Sequence, residues 1–105
     1  MTELIKISQN ENKKQIVDAR ELHKFLESKR DFLTWIKDRI EKYDFIENQD
    51  FEILHNTEIE SYNKIEYILT LDMAKKLAMI EHNEKGVIAR RYFIECEKKL
   101  KEATK

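Results

Sequence analysis

The sequence predicts an α+β fold in which two small β-hairpins pack with about four helices, the C-terminal helix being the longest. Alternating apolar residues, typical of strands, occur near the N-terminus and again in the middle of the chain. Apolar residues spaced by three and four, typical of amphipathic helices, follow each of these stretches. The 105 residues are 41% hydrophobic and 39% charged, which suffices for one domain with one core. We therefore expect a single domain over 1–105, with 101–105 as a tail or linker.

The first hairpin is predicted from residues 1–17. Residues 3–7 alternate and predict a strand, residues 8–14 are polar and predict a loop, and residues 15–17 predict the return strand. Proline is absent and Gly86 is the only glycine. Tight turns that need a positive φ are therefore expected to use Asn or Asp.

A helix pair follows the first hairpin. Asp18 is predicted to cap the first helix in a capping box with Glu21, and Asp31 to cap the second after a turn at 27–30. The apolar face of the first helix carries Ala19, Leu22, Phe25 and Leu26, and that of the second carries Phe32, Trp35, Ile36, Ile40 and Tyr43. This pattern predicts a helical hairpin or a helix-turn-helix-like unit. Trp35, the only tryptophan, is expected in the core with its indole N–H satisfied locally, the alternative being an interface anchor.

The second hairpin and two more helices complete the prediction. One strand face carries Phe51, Ile53, Ile65, Tyr67 and Leu69, and the other carries Leu54 and Ile68. Residues 56–63 form the irregular tip. Thr70 is predicted to cap a third helix that is apolar nearly all round and therefore the most buried.

Asn83 is predicted to cap the last helix, after a tight turn at residues 81–83. Its packed side is expected to comprise Ile88, Ala89, Tyr92, Phe93, Cys96 and Leu100. Over the whole chain, the candidate structural anchors are Trp35, Phe32, Ile36, Leu71, Met73, Tyr92 and Phe93.

Charge is unevenly distributed although the net charge is −1. Residues 44–68 contain seven acidic residues and one basic residue, which makes the second hairpin an acidic lobe. The candidate contacts for a partner protein or DNA are Lys29, Arg30, Lys37, Arg39, Lys64, Arg90 and Arg91. The alternative is that these side chains belong to solvated faces, since acidic residues are interleaved with them. The pI near 6.3 is below that of a strong nucleic-acid binder.

The residues that carry catalysis are missing. His23, His55 and His82 stand far apart in the sequence, without a carboxylate or cysteine at metal-ligand spacing. The single cysteine, Cys96, is expected on the packed side of a helix, where a thiol behaves as a small hydrophobe. We therefore expect no enzyme activity, no cofactor and no metal. The lone cysteine and the lack of a long apolar run favour a soluble, cytoplasmic protein.

Three separated blocks of the sequence are familiar. They are IVDARELHKFLESKRDFLTWIKDRIEKYDFIENQDF, then IEYILTLDMAKKLAMIEHNEKG, then ARRYFIECEKKL. In order and spacing they resemble the AntA/AntB antirepressor family of bacteriophages and prophages. The resemblance implies a regulatory protein that relieves repression in the bacterial cytoplasm by binding a repressor, and a domain that often precedes a separate C-terminal domain. The helix pair is also similar to that of KilA-N and Bro-N domains, for which DNA binding is proposed.

Three hypotheses about function remain open at this point. The first is a protein-binding antirepressor module, whose acidic lobe would complement the basic surface of a repressor. The second is a sequence-specific DNA-binding domain of the KilA-N/Bro-N type. The third is an oligomerisation domain.

Overall fold

The computed structural model describes residues 4–56 and 64–103. The strands of this part are β1 (Ile7–Gln9), β2 (Gln15–Asp18), β3 (Phe51–Asn56) and β4 (Lys64–Thr70). The helices are α1 (Ala19–Leu26), α2 (Phe32–Lys42), α3 (Leu71–Ile80) and α4 (Glu84–Ala103). This content confirms the predicted α+β fold with two hairpins, four helices and the longest helix last. The predicted tip at residues 56–63 lies, apart from Asn56, outside the described residues.

The two hairpins join into one antiparallel sheet with the strand order β1-β2-β4-β3. The junction is the pairing of β2 with β4, in which Val17 lies opposite Leu69 and Asp18 opposite Ile68. Nothing in the local alternation of the sequence predicts this pairing, because it joins residues about 50 positions apart.

The first strand begins later than expected, so the predicted strand at 3–7 is wrong. The reason is Asn10, whose side-chain Oδ1 accepts hydrogen bonds from the backbone N–H groups of Asn12 and Lys14 at 2.9 and 3.0 Å. These hydrogen bonds stabilise the turn that begins at Asn10, and β1 therefore continues to Gln9, directly before it. Lys13 takes the left-handed conformation in this turn, with φ 61°. The expectation that a tight hairpin would use Asn or Asp at such a position is therefore wrong for the β1–β2 turn. Outside the hairpin turns, positive φ occurs at Glu27, Asp44, Asn48 and His82.

Each predicted cap residue accepts a hydrogen bond from a backbone N–H in the first turn of its helix. The pairs are Asp18 with Arg20, Asp31 with Thr34, Thr70 with Met73, and Asn83 with Gly86. The capping box predicted that the backbone N–H of Glu21 would donate to Asp18. In the structure the donor is the backbone N–H of Arg20. Asn83 also donates from Nδ2 to the Leu26 carbonyl oxygen at 3.2 Å, which ties the start of α4 to the end of α1.

The core lies between the helices and one face of the sheet. Val17 and Leu69 supply the centre of that face, and Phe51 and Tyr67 extend it along the second hairpin. As predicted, α3 is strongly buried, with Leu71, Met73, Ala74, Leu77 and Ala78 in the core. On α4 the buried line runs through Ala89 and Phe93. The prediction that Ile88 lies on the packed side is wrong, since its side chain is 39% exposed. Each residue turns the helix by about 100°, so Ile88 lies off the line that Ala89 and Phe93 define.

Trp35 lies in the core with its ring fully buried. Its indole Nε1 donates to Oε2 of Glu81, 3.2 Å away at the C-terminal end of α3. The expectation that this N–H would be satisfied locally is therefore wrong. The residue that accepts from it lies 46 positions further along the chain.

Candidate functional site

The face of the sheet that points away from the helices is open. Because side chains alternate along a strand, the neighbours of the buried Val17, Tyr67 and Leu69 point to this opposite face. Ile16 of β2, Ile68 of β4 and Leu54 of β3 form a diagonal apolar row across it, on three adjacent strands. Leu54 is 46% exposed, and Ile16 and Ile68 are half-buried. An apolar row on an exposed face is a feature of binding surfaces.

A groove of about 630 Å³ runs over this row at one end of the sheet. The β1–β2 turn forms one wall, and the loop between α2 and β3 forms the other. Its floor contains Ile16, Leu54 and Ile68. Side-chain amides line its rim: Gln9, Asn10, Asn12, Asn48 and Gln49. The volume is within the range of small binding pockets.

Both walls of the groove are fixed by hydrogen bonds. The Asn10 side chain holds the β1–β2 turn, as described above. In the other wall, Oδ2 of Asp50 accepts from the Ile46 backbone N–H at 2.9 Å, and its carbonyl oxygen accepts from the Thr70 N–H at 2.9 Å. The Asn48 N–H donates to the carbonyl oxygen of Phe51. The walls are therefore positioned by their own polar contacts before any partner arrives.

Carboxylates outnumber lysines around the open face. Glu11 and Glu52 line the groove together with Lys14. A second recess of about 230 Å³, which shares Ile16 and Ile68 with the groove, is lined by Asp18, Glu21 and Lys6. The register also places Glu66 on this face, directly opposite Leu54. The predicted acidic lobe therefore extends from the second hairpin across β2 to the start of α1.

The predicted basic contacts at the helix pair do not form one free cluster. Lys29 and Lys37 are exposed. The guanidinium of Arg30 pairs with Asp38 at 3.1 Å, and its hydrogen bond holds the pKa of that carboxyl below the usual range. Arg39 was expected on the exposed face, but only 14% of its side chain is exposed.

Arg39 is directed inwards because it lies one turn after Trp35 on the same helix face. It contacts Asp38 at 3.0 Å and Glu81 at 3.7 Å. It therefore belongs to the packing of α2 against α3 and is not available to an external phosphate. The spacing of four from the buried Trp35 could have indicated this position from the sequence.

The remaining basic candidates lie elsewhere. Arg90 and Arg91 are exposed on α4, on another part of the molecule from the groove. Lys64 begins β4, and its side chain lies outside the described part of the structure. Six of the basic candidates have described side chains, and none of these six lines either recess of the open face.

The structural anchors lie where packing requires them. Buried side chains are those of Phe32, Trp35, Ile36, Leu71, Met73 and Phe93, and Tyr92 is half-buried. Sequence reasoning missed two supports of this region, His23 and Arg20. His23 Nε2 lies 2.8 Å from the Arg30 carbonyl oxygen, which can only accept, so Nε2 carries the proton. Arg20 stacks 4.4 Å above the Phe32 ring and donates to the Ile65 carbonyl oxygen.

Within 4–56 and 64–103, no group of three or more His, Cys, Asp or Glu side chains could hold a metal ion. Over the same ranges, none of the helices combines the length and apolarity needed to cross a membrane. Cys96 is a free, half-buried thiol.

Comparison with known proteins gives one match. The family model described as AntA/AntB antirepressor matches residues 17–83 of the 105. That range runs from β2 to the cap of α4 and includes Trp35, Glu81 and most of the open sheet face. Neither the curated proteins nor the solved structures contain a significant match.

Proposed function

Because the chain belongs to the AntA/AntB antirepressor family, we propose that it relieves repression in a bacteriophage or prophage by binding a repressor protein. In this proposal the domain acts in the host cytoplasm by association alone and catalyses no reaction. The observation that carries the proposal is the family match over residues 17–83, the same segment that supplies most of the open face.

The charge distribution supports a protein partner over DNA. DNA binding requires several cationic side chains that can release counterions from phosphates. Arg30 is paired with Asp38, and Arg39 is enclosed between Asp38 and Glu81. The open face, by contrast, offers carboxylates and apolar side chains, which complement a basic protein surface.

DNA binding of the KilA-N/Bro-N type is the second candidate, favoured by the exposure of Lys29, Lys37, Arg90 and Arg91. It predicts that the isolated domain shifts operator DNA and that affinity falls steeply with salt. The charge-removing variant Arg90→Ala with Arg91→Ala would then lower that affinity.

The test is binding to the repressor encoded in the same phage or prophage. Purified domain and repressor are mixed with nuclease, and association is measured by calorimetry. We expect a saturable complex that survives nuclease treatment, whereas a repressor from an unrelated phage gives no heat. Absence of binding to the cognate repressor, together with a salt-dependent shift of operator DNA by the domain alone, would replace the proposal by the second candidate.

A further inference from the structure

We propose that the groove on the open sheet face docks an extended segment of a partner protein that carries alternating basic and apolar side chains. Under the proposed function, on which this inference rests, the partner that supplies the segment is the repressor.

The floor of the groove fits apolar side chains at the spacing of an extended chain. Ile16 lies opposite Thr70, and Leu54 lies opposite Glu66, so each of them is a diagonal neighbour of Ile68. Diagonal neighbours on adjacent strands are about 7–8 Å apart, which makes the apolar row about 15 Å long. In an extended segment, side chains two residues apart point the same way and are separated by about 7 Å. Up to three such side chains can thus rest on the row at the same time.

The charges around this floor specify the alternate side chains of the segment. Glu11 and Glu52 line the groove, and Asp18 and Glu21 line the adjoining recess, against the two lysines Lys14 and Lys6. Lys or Arg side chains between the apolar residues start out pointing away from the floor, but their long flexible stems let the cations bend back to the carboxylates at the sides of the groove. A nucleic acid would place phosphates there instead, which the excess of carboxylates disfavours.

The amide rim fits the backbone of the same segment. Asn and Gln side chains each offer donors and an acceptor, so they can pair with peptide N–H and C=O groups without selecting a side chain. Such groups lie on both walls, for example Gln9 on the β1–β2 turn and Gln49 on the opposite loop. A groove of about 630 Å³ holds a few residues of a segment.

The test uses synthetic peptides and the whole 105-residue chain labelled with ¹⁵N. The probes are three heptapeptides, KLKLKLK, ELELELE and KSKSKSK, each blocked at both ends. We expect KLKLKLK to shift the backbone amide resonances of Ile16, Glu52, Leu54 and Ile68. ELELELE should leave them in place, and KSKSKSK should bind more weakly because it lacks the apolar contacts.

Two variants and two matched controls locate the site. Leu54→Ser removes the exposed end of the apolar row, and its control, Met79→Ser, removes a side chain of similar exposure (51% against 46%) on α3. Glu52→Lys reverses an exposed charge in the groove, and Glu41→Lys does the same on α2. We expect Leu54→Ser and Glu52→Lys to weaken KLKLKLK binding about tenfold. The controls should change it by less than about twofold, with all four variants folded by circular dichroism.

Several results would overturn the proposal. One is that KLKLKLK shifts resonances on α4 or α2 and leaves the open face unchanged. Another is equal binding of KLKLKLK and ELELELE. A concentration-dependent dimer in light scattering that Leu54→Ser converts to a monomer would assign the face to a second copy of this chain.

The repressor assay separates this inference from the proposed function. If the repressor binds the Leu54→Ser and Glu52→Lys variants as tightly as the original chain, the proposed function stands and the docking groove is refuted. If the repressor fails to bind at all while KLKLKLK still occupies the open face, the groove stands and the repressor is not its partner.

Discussion

The indole Nε1 of Trp35 donates to the carboxylate of Glu81 across 3.2 Å, and this contact joins the middle of α2 to the end of α3. The same carboxylate lies 3.7 Å from Arg39, which pairs with Asp38, which in turn pairs with Arg30. A single polar chain therefore runs from the buried tryptophan to the turn between α1 and α2. It fixes the helix pair relative to the rest of the domain.

Replacement of Glu81 should be costly because it leaves a buried indole N–H without its acceptor and removes one of the two carboxylates that Arg39 contacts. We expect Glu81→Ala to lower the free energy of unfolding by about 2–4 kcal/mol. Glu81→Gln, which keeps an acceptor oxygen, should cost less. Urea denaturation measures both, with Glu84→Ala, an exposed position at the start of α4, as the control. A loss below about 0.5 kcal/mol for Glu81→Ala would show that the contact contributes little.

The pKa of Asp38 is held below its ordinary range, chiefly by the hydrogen bond from Arg30 and further by the charges of Arg30, Arg39 and Lys42. Because the folded-state pKa is the lower one, the stabilisation is complete above the unfolded pKa of about 3.9 and is lost as the pH falls through the folded pKa. Arg30→Ala should raise the Asp38 pKa in an NMR titration, and Lys42→Ala should raise it less. An unchanged pKa in the Arg30 variant would show that the pair does not persist in solution.

Glu27 ends α1 in the left-handed conformation, with φ 54°. Glycine adopts this conformation without steric cost, so Glu27→Gly should raise the free energy of unfolding by about 0.5–1 kcal/mol. The exposed ion pair with Lys85 that the change removes is worth less than this. As the matched control, Lys37→Gly in the middle of α2 should destabilise by about 1 kcal/mol. Thermal unfolding of both variants checks the opposite signs.

Gly86 follows the Asn83 cap in the first turn of α4, where a Cβ would overlap the carbonyl oxygen of Ala78 in α3. A backbone atom of a packed helix cannot move aside at little cost. Gly86→Ala should therefore destabilise by about 1–3 kcal/mol, although alanine is the better helix former. Val87→Ala, at the next and exposed position, should be nearly neutral. A stabilised Gly86→Ala variant would mean that α3 and α4 separate readily.

Local patterns in the sequence predicted much of the fold. The caps Asp18, Asp31, Thr70 and Asn83 are predictable because few residue types accept a hydrogen bond from a first-turn N–H. Such a residue also stands at a fixed position, directly before the helix. Alternation placed Phe51, Tyr67 and Leu69 on the buried face of the second hairpin. These features depend on residues within a few positions of one another.

Contacts between distant residues could not be predicted in this way. The pairing of β2 with β4, which makes two hairpins into one sheet, joins residues about 50 positions apart. The groove exists only because that pairing brings Ile16 beside Ile68. Glu81 as the acceptor for Trp35 is equally non-local. The wrong position of β1 has a local cause, because the alternation of residues 3–7 predicts a strand that ends too early for the turn at Asn10.

The most direct test of the central claim follows the release of a repressor from its operator. Fluorescently labelled operator DNA is saturated with the repressor of the same phage, and the domain is titrated into the complex while anisotropy is recorded. We predict that anisotropy falls to that of free DNA, and that the Glu52→Lys variant needs about ten times more protein for the same release. Anisotropy that stays constant, or rises because the domain itself binds the DNA, would contradict an antirepressor that acts by binding the repressor.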